Sequence, residues 1–492
     1  MKKRFPPYQH VHFVGIGGSG MSGIAEVLLN LGYHVSGSDV KESDTTRRLA
    51  SLGAKIFIGH RRENIHGADV VVYSSAIKPD NPELEEARRL KHVPIIPRAE
   101  MLAEIMRMKH SILVAGAHGK TTTTSMIGTL LVAGEFDPTV VIGGRLRAWG
   151  SNAKMGMGDF FVAEADESDG SFLMLSPTIA VVTNIDLEHL DYYRDIHHIA
   201  ETFVSFLNKI PFYGSAIVCL DNLVTLDSNE TVNKTNGLHN PTYNVKAPTE
   251  NFMRTLVLPF LKRKVITYGF SPDADIRAEN IIRDGFRSSY QLVVQGKPMG
   301  KIHINVPGIH NVMNSLAAVG VGLELGMEPE KIAEGLNQFT GVDRRFHLKG
   351  EAQGITILDD YGHHPREIQA VLHTMCECFP DRRKIVVFQP HRYTRTKALM
   401  DDFANCFNNC NVLIMTDIYA AGEHPIPGIT GEMLAKKVVK AIQRDNELIY
   451  VPTLDDVLDV LKKIVRSGDV VLTLGAGNVW TVGEKLLEYL NS

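Results

Sequence analysis

The chain has 492 residues, more than one hydrophobic core usually holds, and this length predicts about three domains. Its 44% hydrophobic and 22% charged residues are typical of a soluble globular protein, and no segment has the ~20 consecutive apolar residues that a bilayer-spanning helix needs. The net charge of −4, with basic residues clustered only at residues 1–4, gives no indication of nucleic-acid binding.

The cysteines and the N-terminus bear on the compartment. Five cysteines are few and odd in number, and they do not show the spacing of a disulfide framework or of a zinc site. The basic start is followed by Phe5-Pro6-Pro7 rather than by an apolar signal core. We therefore expect a cytoplasmic protein with no export signal and no membrane partner.

The first chemical motif is a glycine turn between a short strand at 11–14 and an apolar-periodic helix. The turn reads Gly15-Ile16-Gly17-Gly18-Ser19-Gly20, and Asp39 ends the next strand about 20 residues later. In a Rossmann domain the amides of such a turn bind a pyrophosphate and the acidic residue binds a ribose, so NAD and a UDP-linked substrate both fit. Ser74 and Ser75, after a later strand, are further candidates for this site. The alternative is a glycine turn that serves only helix–strand packing.

A second glycine turn follows the apolar strand at 112–115. It reads Gly116-Ala117-His118-Gly119-Lys120-Thr121-Thr122 and opens a helix that continues to Gly134. Such a turn aims backbone amides and the positive end of a helix at one point, where a lysine adds charge and a threonine hydroxyl can hold Mg²⁺. The order predicts a nucleotide phosphate site, although Val114 stands where the general P-loop has a glycine. An ordinary strand–turn–helix connection is the alternative.

Acidic side chains after a later strand are candidates for the same site. Glu164 ends that strand and precedes Asp166, Glu167 and Asp169. Mg²⁺ prefers hard carboxylate oxygens, so the cluster predicts metal ligands, with a solvated loop as the alternative. His189, after the following strand, is either another metal or phosphate ligand or a simple loop residue.

Two features mark the second half of the central region. Residues 223–250 are rich in Asn and Thr and lack a sustained apolar period, which predicts a surface insertion. Asn311 and Asn314 lie one helical turn apart on one face. Their amides either cap the helix or contact a nucleotide base.

A third α/β run begins beyond Arg345. Strands at 355–358, 384–388, 412–415 and 470–474 alternate with helical stretches and predict another mostly parallel sheet. Polar clusters follow three of these strands, and their arginines suit a carboxylate or phosphate ligand. We expect a shared site there, formed from Asp360, Tyr361, His363, His391, Arg392, Arg395 and residues 475–478.

The predicted fold class is α/β with three domains. Residues 1–107 form an N-terminal Rossmann-like domain, 108–340 a central P-loop ATPase-type domain and 341–492 a C-terminal Rossmann-like α/β domain. Two function classes compete at this point. An NAD-dependent oxidoreductase with a fused nucleotide-binding regulator leaves the third domain's clusters without a role, and a P-loop switch or transport ATPase would hydrolyse nucleotide without a small-molecule acceptor.

Together these motifs resemble the Mur ligases, the ATP-dependent amide-forming enzymes of bacterial peptidoglycan synthesis. The resemblance covers nearly the whole chain except 223–250, and the family's shortened glycine spacing accounts for Val114. Ala117 stands where that family usually has a threonine. Within the family, residues 15–23, 164–169, 360–365 and 389–395 resemble the members that add L-alanine. The relative that recycles murein tripeptides is the nearest alternative. Folylpolyglutamate synthase-like enzymes are a further alternative, but they would leave the N-terminal glycine turn unexplained.

The resemblance implies a reaction with ATP and Mg²⁺. ATP would phosphorylate the carboxylate of UDP-N-acetylmuramate to an acyl phosphate, and the amine of L-alanine would displace the phosphate. The implied catalytic residues are Lys120, His189, Arg345 and Asp360, and the implied metal ligands are Thr121, Glu164 and His189.

The resemblance also assigns binding residues to each substrate. The implied ATP-binding residues are Gly116, His118, Gly119, Lys120, Thr121, Thr122, Asn311, Asn314 and Arg345. UDP would be bound by Gly15, Gly17, Gly18, Ser19, Gly20, Asp39, Ser74 and Ser75. The amino acid would lie among Tyr361, His363, His391, Arg392 and Arg395.

Overall fold

The computed structural model describes residues 9–74, 76–106, 109–149, 151–186, 192–221, 252–442 and 446–492, with only the main chain of Ser19. The predicted insertion at 223–250, His189 and Ser75 lie outside these residues. The chain divides into two compact units. The first consists of Met1–Asn280, Tyr290–Ile302 and Met313–Thr340, and the second of Ile281–Ser289, His303–Val312 and Gly341–Ser492.

The N-terminal part of the first unit is a five-stranded parallel sheet in the order β3-β2-β1-β4-β5. Its strands are β1 His10–Val14, β2 His34–Asp39, β3 Lys55–Ile58, β4 Val70–Tyr73 and β5 Ile95–Pro97. Its helices are α1 Ser19–Asn30, α2 Asp44–Ser51, α3 Pro82–Leu90 and α4 Arg98–Met106. The strand order reverses at β1, so the glycine turn that follows β1 lies where open α/β sheets bind ligands.

A ten-stranded sheet follows, in the order β15-β14-β13-β12-β11-β10-β6-β9-β7-β8. Its strands are β6 His110–Ala115, β7 Thr139–Leu146, β8 Ser151–Lys154, β9 Phe160–Glu164, β10 Ile179–Val182, β11 Ser215–Cys219, β12 Lys264–Gly269, β13 Ile276–Asp284, β14 Arg287–Val294 and β15 Lys297–Ile304. Its helices are α5 Lys120–Ala133, α6 Ile196–Leu207, α7 Ile309–Glu324 and α8 Pro329–Asn337. The central strands are parallel, which brings the carboxyl ends of β9, β6 and β10 side by side.

Helix α5, which follows the second glycine turn, is buried all round. Every residue from Thr122 to Leu131 is buried, because the sheet covers one side of the helix and α8 packs against another. A Cβ built on Gly335 of α8 would lie 2.7 Å from Leu130 Cδ1, so this glycine permits the close packing. The amino end of α5 is therefore held on a rigid scaffold.

The second unit contains a six-stranded sheet in the order β16-β17-β21-β18-β19-β20, in which only β16 is antiparallel. Its strands are β16 His347–Ala352, β17 Ile355–Asp360, β18 Lys384–Phe388, β19 Val412–Met415, β20 Glu447–Tyr450 and β21 Val470–Leu474. Its helices are α9 Pro365–Cys378, α10 Tyr393–Ala398, α11 Met400–Ala404, α12 Gly431–Ala441, α13 Leu454–Ile464 and α14 Trp480–Asn491. Apolar clusters cover both faces of the sheet, so its central strands are buried.

These three sheets confirm the predicted α/β class with mostly parallel strands. Both glycine turns lie between a strand and a helix, as predicted. Helix α5, after the second turn, ends at Ala133 with Gly134 as its cap. The boundaries at 107/108 and 340/341 stay predictions. Among the described residues, no helix combines the length and the apolar character needed to cross a membrane.

Candidate active site

The first glycine turn is closed by hydrogen bonds to the end of β2. The amides of Gly15 and Ile16 both donate to the carbonyl of Ser38, at 2.9 and 3.0 Å. Gly15 has φ +80°, in the left-handed region that favours glycine. Gly18 then caps the amino end of α1. The turn therefore has the conformation and the helix end that suit a pyrophosphate.

Asp39, at the end of β2, lies over the same turn. Its Oδ2 accepts a hydrogen bond from the amide of Gly17 at 2.9 Å. A Cβ built on Gly17 would lie 2.8 Å from that oxygen, so a side chain there would displace the Asp39 carboxylate. The structure brings these two predicted residues together, and it places Ser74 directly after β4. Ser75 and the side chain of Ser19 lie outside the part of the chain that the structure describes.

Arg98, at the start of α4, was not predicted by sequence reasoning. A Cβ built on Gly20 would overlap its guanidinium group, so Arg98 lies against the first glycine turn. Its Nη2 also lies 3.1 Å from Asp166 Oδ2 in the central acidic segment. Arg98 thus connects the two predicted sites of the first unit. Its local pattern is that of an ordinary helix start, which carries no sign of this contact.

The second glycine turn depends on two left-handed glycines. Gly116 has φ +128° and Gly119 has φ +82°. A Cβ on Gly116 would overlap Thr183 Oγ1, and a Cβ on Gly119 would lie 2.7 Å from Asn314 Oδ1. Helix α5 begins directly after Gly119, and Lys120, Thr121 and Thr122 form its first turn. A side chain at either glycine would fill the turn, so the turn fits a phosphate group bound by main-chain amides.

Residues after β10 hold this turn in place, and sequence reasoning missed them. Asn184 Oδ1 accepts from the amide of His118 at 3.0 Å, and Asn184 Nδ2 donates to the carbonyl of His118 at 2.9 Å. Thr183 Oγ1 donates to the same carbonyl at 2.6 Å. The buried ring of His118 lies 3.2 Å from Asp186 Oδ2. These residues reach the turn because β10 lies beside β6 in the sheet. The sequence alone does not show that the two strands are neighbours, so these contacts could not be predicted from it.

The acidic segment after β9 lies against the first turn of α5. Thr121 Oγ1 donates to Glu164 Oε2 at 3.1 Å, and Glu164 Oε1 accepts from the amide of Gly143 at 2.5 Å. Lys120 Nζ donates to Glu167 Oε1 and to the carbonyl of Gly116, both at 2.7 Å. A hydroxyl and a carboxylate at this spacing form a set of hard oxygen ligands that fits Mg²⁺. Lys120 and Thr121, predicted for the phosphate site, therefore lie together with Glu164, predicted for the metal.

The other two acids of the segment have separate partners. Burial would raise the pKa of Asp166, but the charges of Lys120 and Arg98 and hydrogen bonds from Ser168 lower it to about 2. Asp169 Oδ1 accepts from the amide of Ser171 at 3.0 Å and so closes a local turn. Neither contact resembles that of Glu164, which alone of the four acids pairs with Thr121 in the described residues.

The two predicted amides on α7 differ in their surroundings. Asn314 lies against Gly119 of the phosphate turn in the first unit. Asn311 Nδ2 donates to the carbonyl of Pro307 at 2.6 Å, within the second unit. This hydrogen bond ties Asn311 to the segment just before α7, and its contact with a nucleotide stays a prediction.

In the second unit, Asp360 is buried at the end of β17. Its carboxylate accepts from the amides of Phe346 and Gly362 at 2.6 and 2.7 Å. Burial raises the pKa of Asp360 to about 6, against the opposing charge of Arg345. Arg345 and Arg344 lie 5.2 and 5.0 Å from the ring centre of Tyr361. These contacts gather three predicted residues at the carboxyl edge of the third sheet, and Arg344 joins them.

The histidines and arginines after β18 form a second group at that edge. Burial and the charges of His363 and Arg395 lower the pKa of His391 to about 3, so its ring is neutral and Nδ1 can accept from Arg395 Nη1 at 3.1 Å. The His391 ring lies 5.7 Å from His363 and stacks on Tyr419, a residue that the sequence did not single out. Arg392 has φ +70°, a strained conformation for a residue with a side chain.

These contacts divide the predicted residues into three groups. The first unit carries a pyrophosphate-type turn and a phosphate turn with oxygen ligands for a metal. The second unit carries arginines and a neutral histidine, which suit a small carboxylate. The described residues of these groups are mainly charged side chains and main-chain amides, so the arrangement favours positioning and charge neutralisation.

Comparison with known families covers most of the chain. The family models described as Mur ligase family, catalytic domain, Mur ligase middle domain and Mur ligase, glutamate ligase domain match residues 10–110, 114–258 with 242–322, and 344–477. Three successive matches agree with the predicted three-domain α/β organisation.

Individual relatives match over nearly their full length. The UDP-N-acetylmuramate–L-alanine ligase of Syntrophobacter fumaroxidans is 57% identical over 488 residues, which cover 99% of this chain and 97% of the relative. The crystal structure of the UDP-N-acetylmuramate–alanine ligase of Thermotoga maritima has a TM-score of 0.79 at 27% identity and covers 98% and 99% of the two chains. A murein peptide ligase of Psychrobacter arcticus has a TM-score of 0.69 at 21% identity, covering 98% and 99%, a likeness of fold alone.

Proposed function

This chain belongs to the Mur ligase family, and from that membership we infer that it is the ligase that joins L-alanine to the carboxylate of UDP-N-acetylmuramate, with ATP as the energy source. The products are UDP-N-acetylmuramoyl-L-alanine, ADP and phosphate, in the synthesis of peptidoglycan precursors. The observation that carries the choice of amino acid is the 57% identity to an alanine-adding relative over 99% of the chain. The murein peptide ligase alternative is not favoured, because two solved murein peptide ligases are only 21% and 24% identical to this chain.

The chemistry requires activation of the carboxylate. A carboxylate is a poor acceptor for an amine in water, so its oxygen must first become part of a leaving group. Transfer of the terminal phosphoryl group of ATP gives an acyl phosphate, and the uncharged amine of alanine then attacks the acyl carbon and releases phosphate. Catalysis of phosphoryl transfer depends mainly on positioning and on neutralising charge. A site built from main-chain amides, a lysine and arginines is suited to such a reaction.

The proposed ATP site is the turn after β6. Its main-chain amides and the amino end of α5 would hold the phosphates, and Lys120 would neutralise charge on the transferred group. The left-handed Gly116 and Gly119 support this assignment, since side chains there would fill the turn. The remaining proposed ATP contacts are His118, Thr121, Thr122, Asn311, Asn314 and Arg345.

We assign Mg²⁺ to Thr121 and Glu164, with His189 as a third proposed ligand. The pairing of the Thr121 hydroxyl with Glu164 supports this choice, because both groups present oxygens that Mg²⁺ prefers. Mg²⁺ held by these groups would supply positive charge beside the phosphates and so reduce the charge that repels the carboxylate. Glu164 is held in place by the amide of Gly143, so its second oxygen keeps its direction toward Thr121.

The other two substrates have separate proposed sites. The UDP pyrophosphate would bind the first glycine turn, and Asp39 and Ser74 would contact the rest of the nucleotide. In the second unit, Arg392 and Arg395 would pair with the carboxylate of alanine, beside Tyr361, His363 and the neutral ring of His391. Asp360 accepts hydrogen bonds from the amides of Phe346 and Gly362, and through them it would hold the main chain around this site in place.

The proposal includes a cytoplasmic location and the domain division at 107/108 and 340/341. All five cysteines are free thiols, which supports a reducing compartment. The three sheets support a division into three parts, each with its own ligand.

The test is phosphate release and product mass with ATP, Mg²⁺ and UDP-N-acetylmuramate, with L-alanine present or absent. We expect phosphate and UDP-N-acetylmuramoyl-L-alanine in equal amounts, dependent on both acceptors, and no product from Lys120→Ala. A parallel reaction replaces alanine with the tripeptide L-alanyl-γ-D-glutamyl-diaminopimelate. Product from the tripeptide alone would transfer the chain to the recycling ligases, and phosphate release without any acceptor would indicate an ATPase.

A further inference from the structure

Glu167 is held at both ends by different groups. Its side-chain Oε1 accepts from Lys120 Nζ at 2.7 Å, and its main-chain carbonyl accepts from the hydroxyl of Tyr193 at 2.6 Å. The amide of Gly170 donates to the same carbonyl at 3.0 Å. Glu167 and Tyr193 are 3% and 2% exposed, so these contacts are shielded from water. A chain of direct contacts thus runs from Tyr193 to the ammonium group in the phosphate turn.

The hydroxyl of Tyr193 has a role that packing does not require. The ring lies in the apolar core and packs edge-on against Tyr192 and His198, at 4.9 and 5.4 Å between ring centres. A phenylalanine would make the same ring contacts. A buried hydroxyl is unfavourable unless it is hydrogen-bonded, and this hydroxyl donates to the main chain of the residue that pairs with Lys120.

Lysine needs such a partner in order to act at a defined point. Its side chain has four flexible carbons, and its ammonium group can turn to any nearby oxygen. In the turn, Lys120 Nζ is shared between the Gly116 carbonyl and Glu167. Glu167 therefore restricts where the charge lies, and loss of that restriction lowers the rate of a reaction that depends on positioning.

We propose that Glu167 positions the ammonium group of Lys120 for phosphoryl transfer and that Tyr193 fixes Glu167 through its main chain. This inference rests on the proposed ligase function. It resolves the roles within the acidic segment, because Glu164 pairs with Thr121, Asp166 with Arg98 and Asp169 with a local amide. Glu167, whose Oε1 accepts from Lys120, is accordingly a positioning residue, and the second variant tests this role against metal binding.

The first variant is Tyr193→Phe, with Tyr192→Phe as its control. Tyr192 is the neighbouring residue and is 47% exposed. We expect Tyr193→Phe to lower kcat about tenfold, with the KM for UDP-N-acetylmuramate unchanged, since only the positioned lysine is disturbed. Tyr192→Phe should keep the parental kcat. The thermal midpoint of both variants is measured so that a folding defect is recognised.

The second variant, Glu167→Gln, separates positioning from metal binding. Removing a negative charge beside the phosphate site should leave ATP binding, measured by calorimetry, unchanged or tighter, while kcat falls about tenfold. The Mg²⁺ concentration for half-maximal activity should not change. Because Tyr193 acts through Glu167, adding Tyr193→Phe to Glu167→Gln should cause little further loss.

Each outcome has one meaning. Parental kcat in Tyr193→Phe, independent losses in the double variant, or a raised Mg²⁺ requirement in Glu167→Gln would overturn the inference. The parental protein serves as the separate test of the ligase. If it makes no product while calorimetry still detects ATP, the proposed function fails. If it makes product, the kinetics of the variants decide the inference alone.

Discussion

Glu83 is a carboxylate with no exposed surface, on α3 of the N-terminal sheet. Its Oε2 accepts from the Ser38 hydroxyl at 2.6 Å and its Oε1 from Asn64 Nδ2 at 2.5 Å, and His12 Nε2 lies 3.8 Å away. The carbonyl of Ser38 in turn holds the first glycine turn. The buried charge of Glu83 therefore stabilises the proposed pyrophosphate site through Ser38.

The charge of Glu83 predicts a pH dependence of stability. Burial would raise the pKa of Glu83, but His12 and hydrogen bonds from Ser38 and Asn64 lower it to about 2. A lowered pKa in the folded state stabilises the protein above pH ~4.5, and this contribution of about 3 kcal/mol is lost as the pH falls from there toward 2. Glu83→Gln should therefore lower the thermal midpoint at pH 7, and the difference from the parental protein should shrink below pH ~4.5.

Glu85→Gln is the matched control for Glu83→Gln. Glu85 lies on the same helix, but its side chain is 46% exposed and pairs with an exposed Arg62. Exposed ion pairs contribute ~0–1 kcal/mol, so this change should leave the thermal midpoint nearly constant at every pH. Equal effects of the two substitutions would contradict the role given to Glu83.

Residue roles could be predicted only where a local motif carries them. Lys120, Thr121 and Glu164 were predicted because each stands at a strand or helix end with a recognisable pattern. Glu83 and Asn184 were missed, since their partners are distant in the sequence. Tyr193 reads as an ordinary core aromatic, because nothing nearby in the sequence indicates where its hydroxyl points.

At the scale of elements, the strand–turn–helix unit from β6 to α5 combines two separate demands on glycine. One is a positive φ, and the other is space beside a neighbouring side chain. Gly119 meets both demands, whereas Gly326 has a similar φ of +76° with nothing within 4 Å of an added Cβ. Substitutions at these two glycines therefore distinguish the effect of backbone strain from the effect of filling the phosphate turn.

Gly119→Ala should raise the KM for ATP at least tenfold, because the added Cβ displaces Asn314 and fills the phosphate turn. Gly326→Ala should cost ~1–2 kcal/mol of stability from the left-handed backbone alone and leave the KM for ATP unchanged. Steady-state kinetics and thermal unfolding of both variants measure the two effects. Similar values of the KM for ATP in the two variants would remove Gly119 from the nucleotide site.

Element types and order were predictable because apolar strands, glycine turns and amphipathic helices have different periods. The sheet order was not, since β9 and β10 share an apolar pattern that does not show that both of them border β6. This is why the sequence predicted a phosphate turn but not the Thr183 and Asn184 contacts that hold it.

At the scale of the molecule, each of the three sheets presents polar groups at the carboxyl ends of parallel strands. The N-terminal sheet presents the Gly15–Gly20 turn, the central sheet Lys120 and Glu164, and the C-terminal sheet Asp360 and Arg392. One substrate for each sheet accounts for all three groups, whereas an oxidoreductase or a simple ATPase leaves at least one group unused. In the proposed reaction, therefore, the terminal phosphoryl group of ATP is transferred to the carboxylate of UDP-N-acetylmuramate before alanine reacts with it.

Oxygen transfer tests this claim most directly. UDP-N-acetylmuramate labelled with ¹⁸O in its carboxylate is converted with ATP, Mg²⁺ and L-alanine, and the released phosphate is analysed by mass spectrometry. An acyl phosphate predicts one ¹⁸O atom in each phosphate and one in each new amide, because the bridging oxygen leaves with phosphorus. Unlabelled phosphate formed together with the amide would contradict the account.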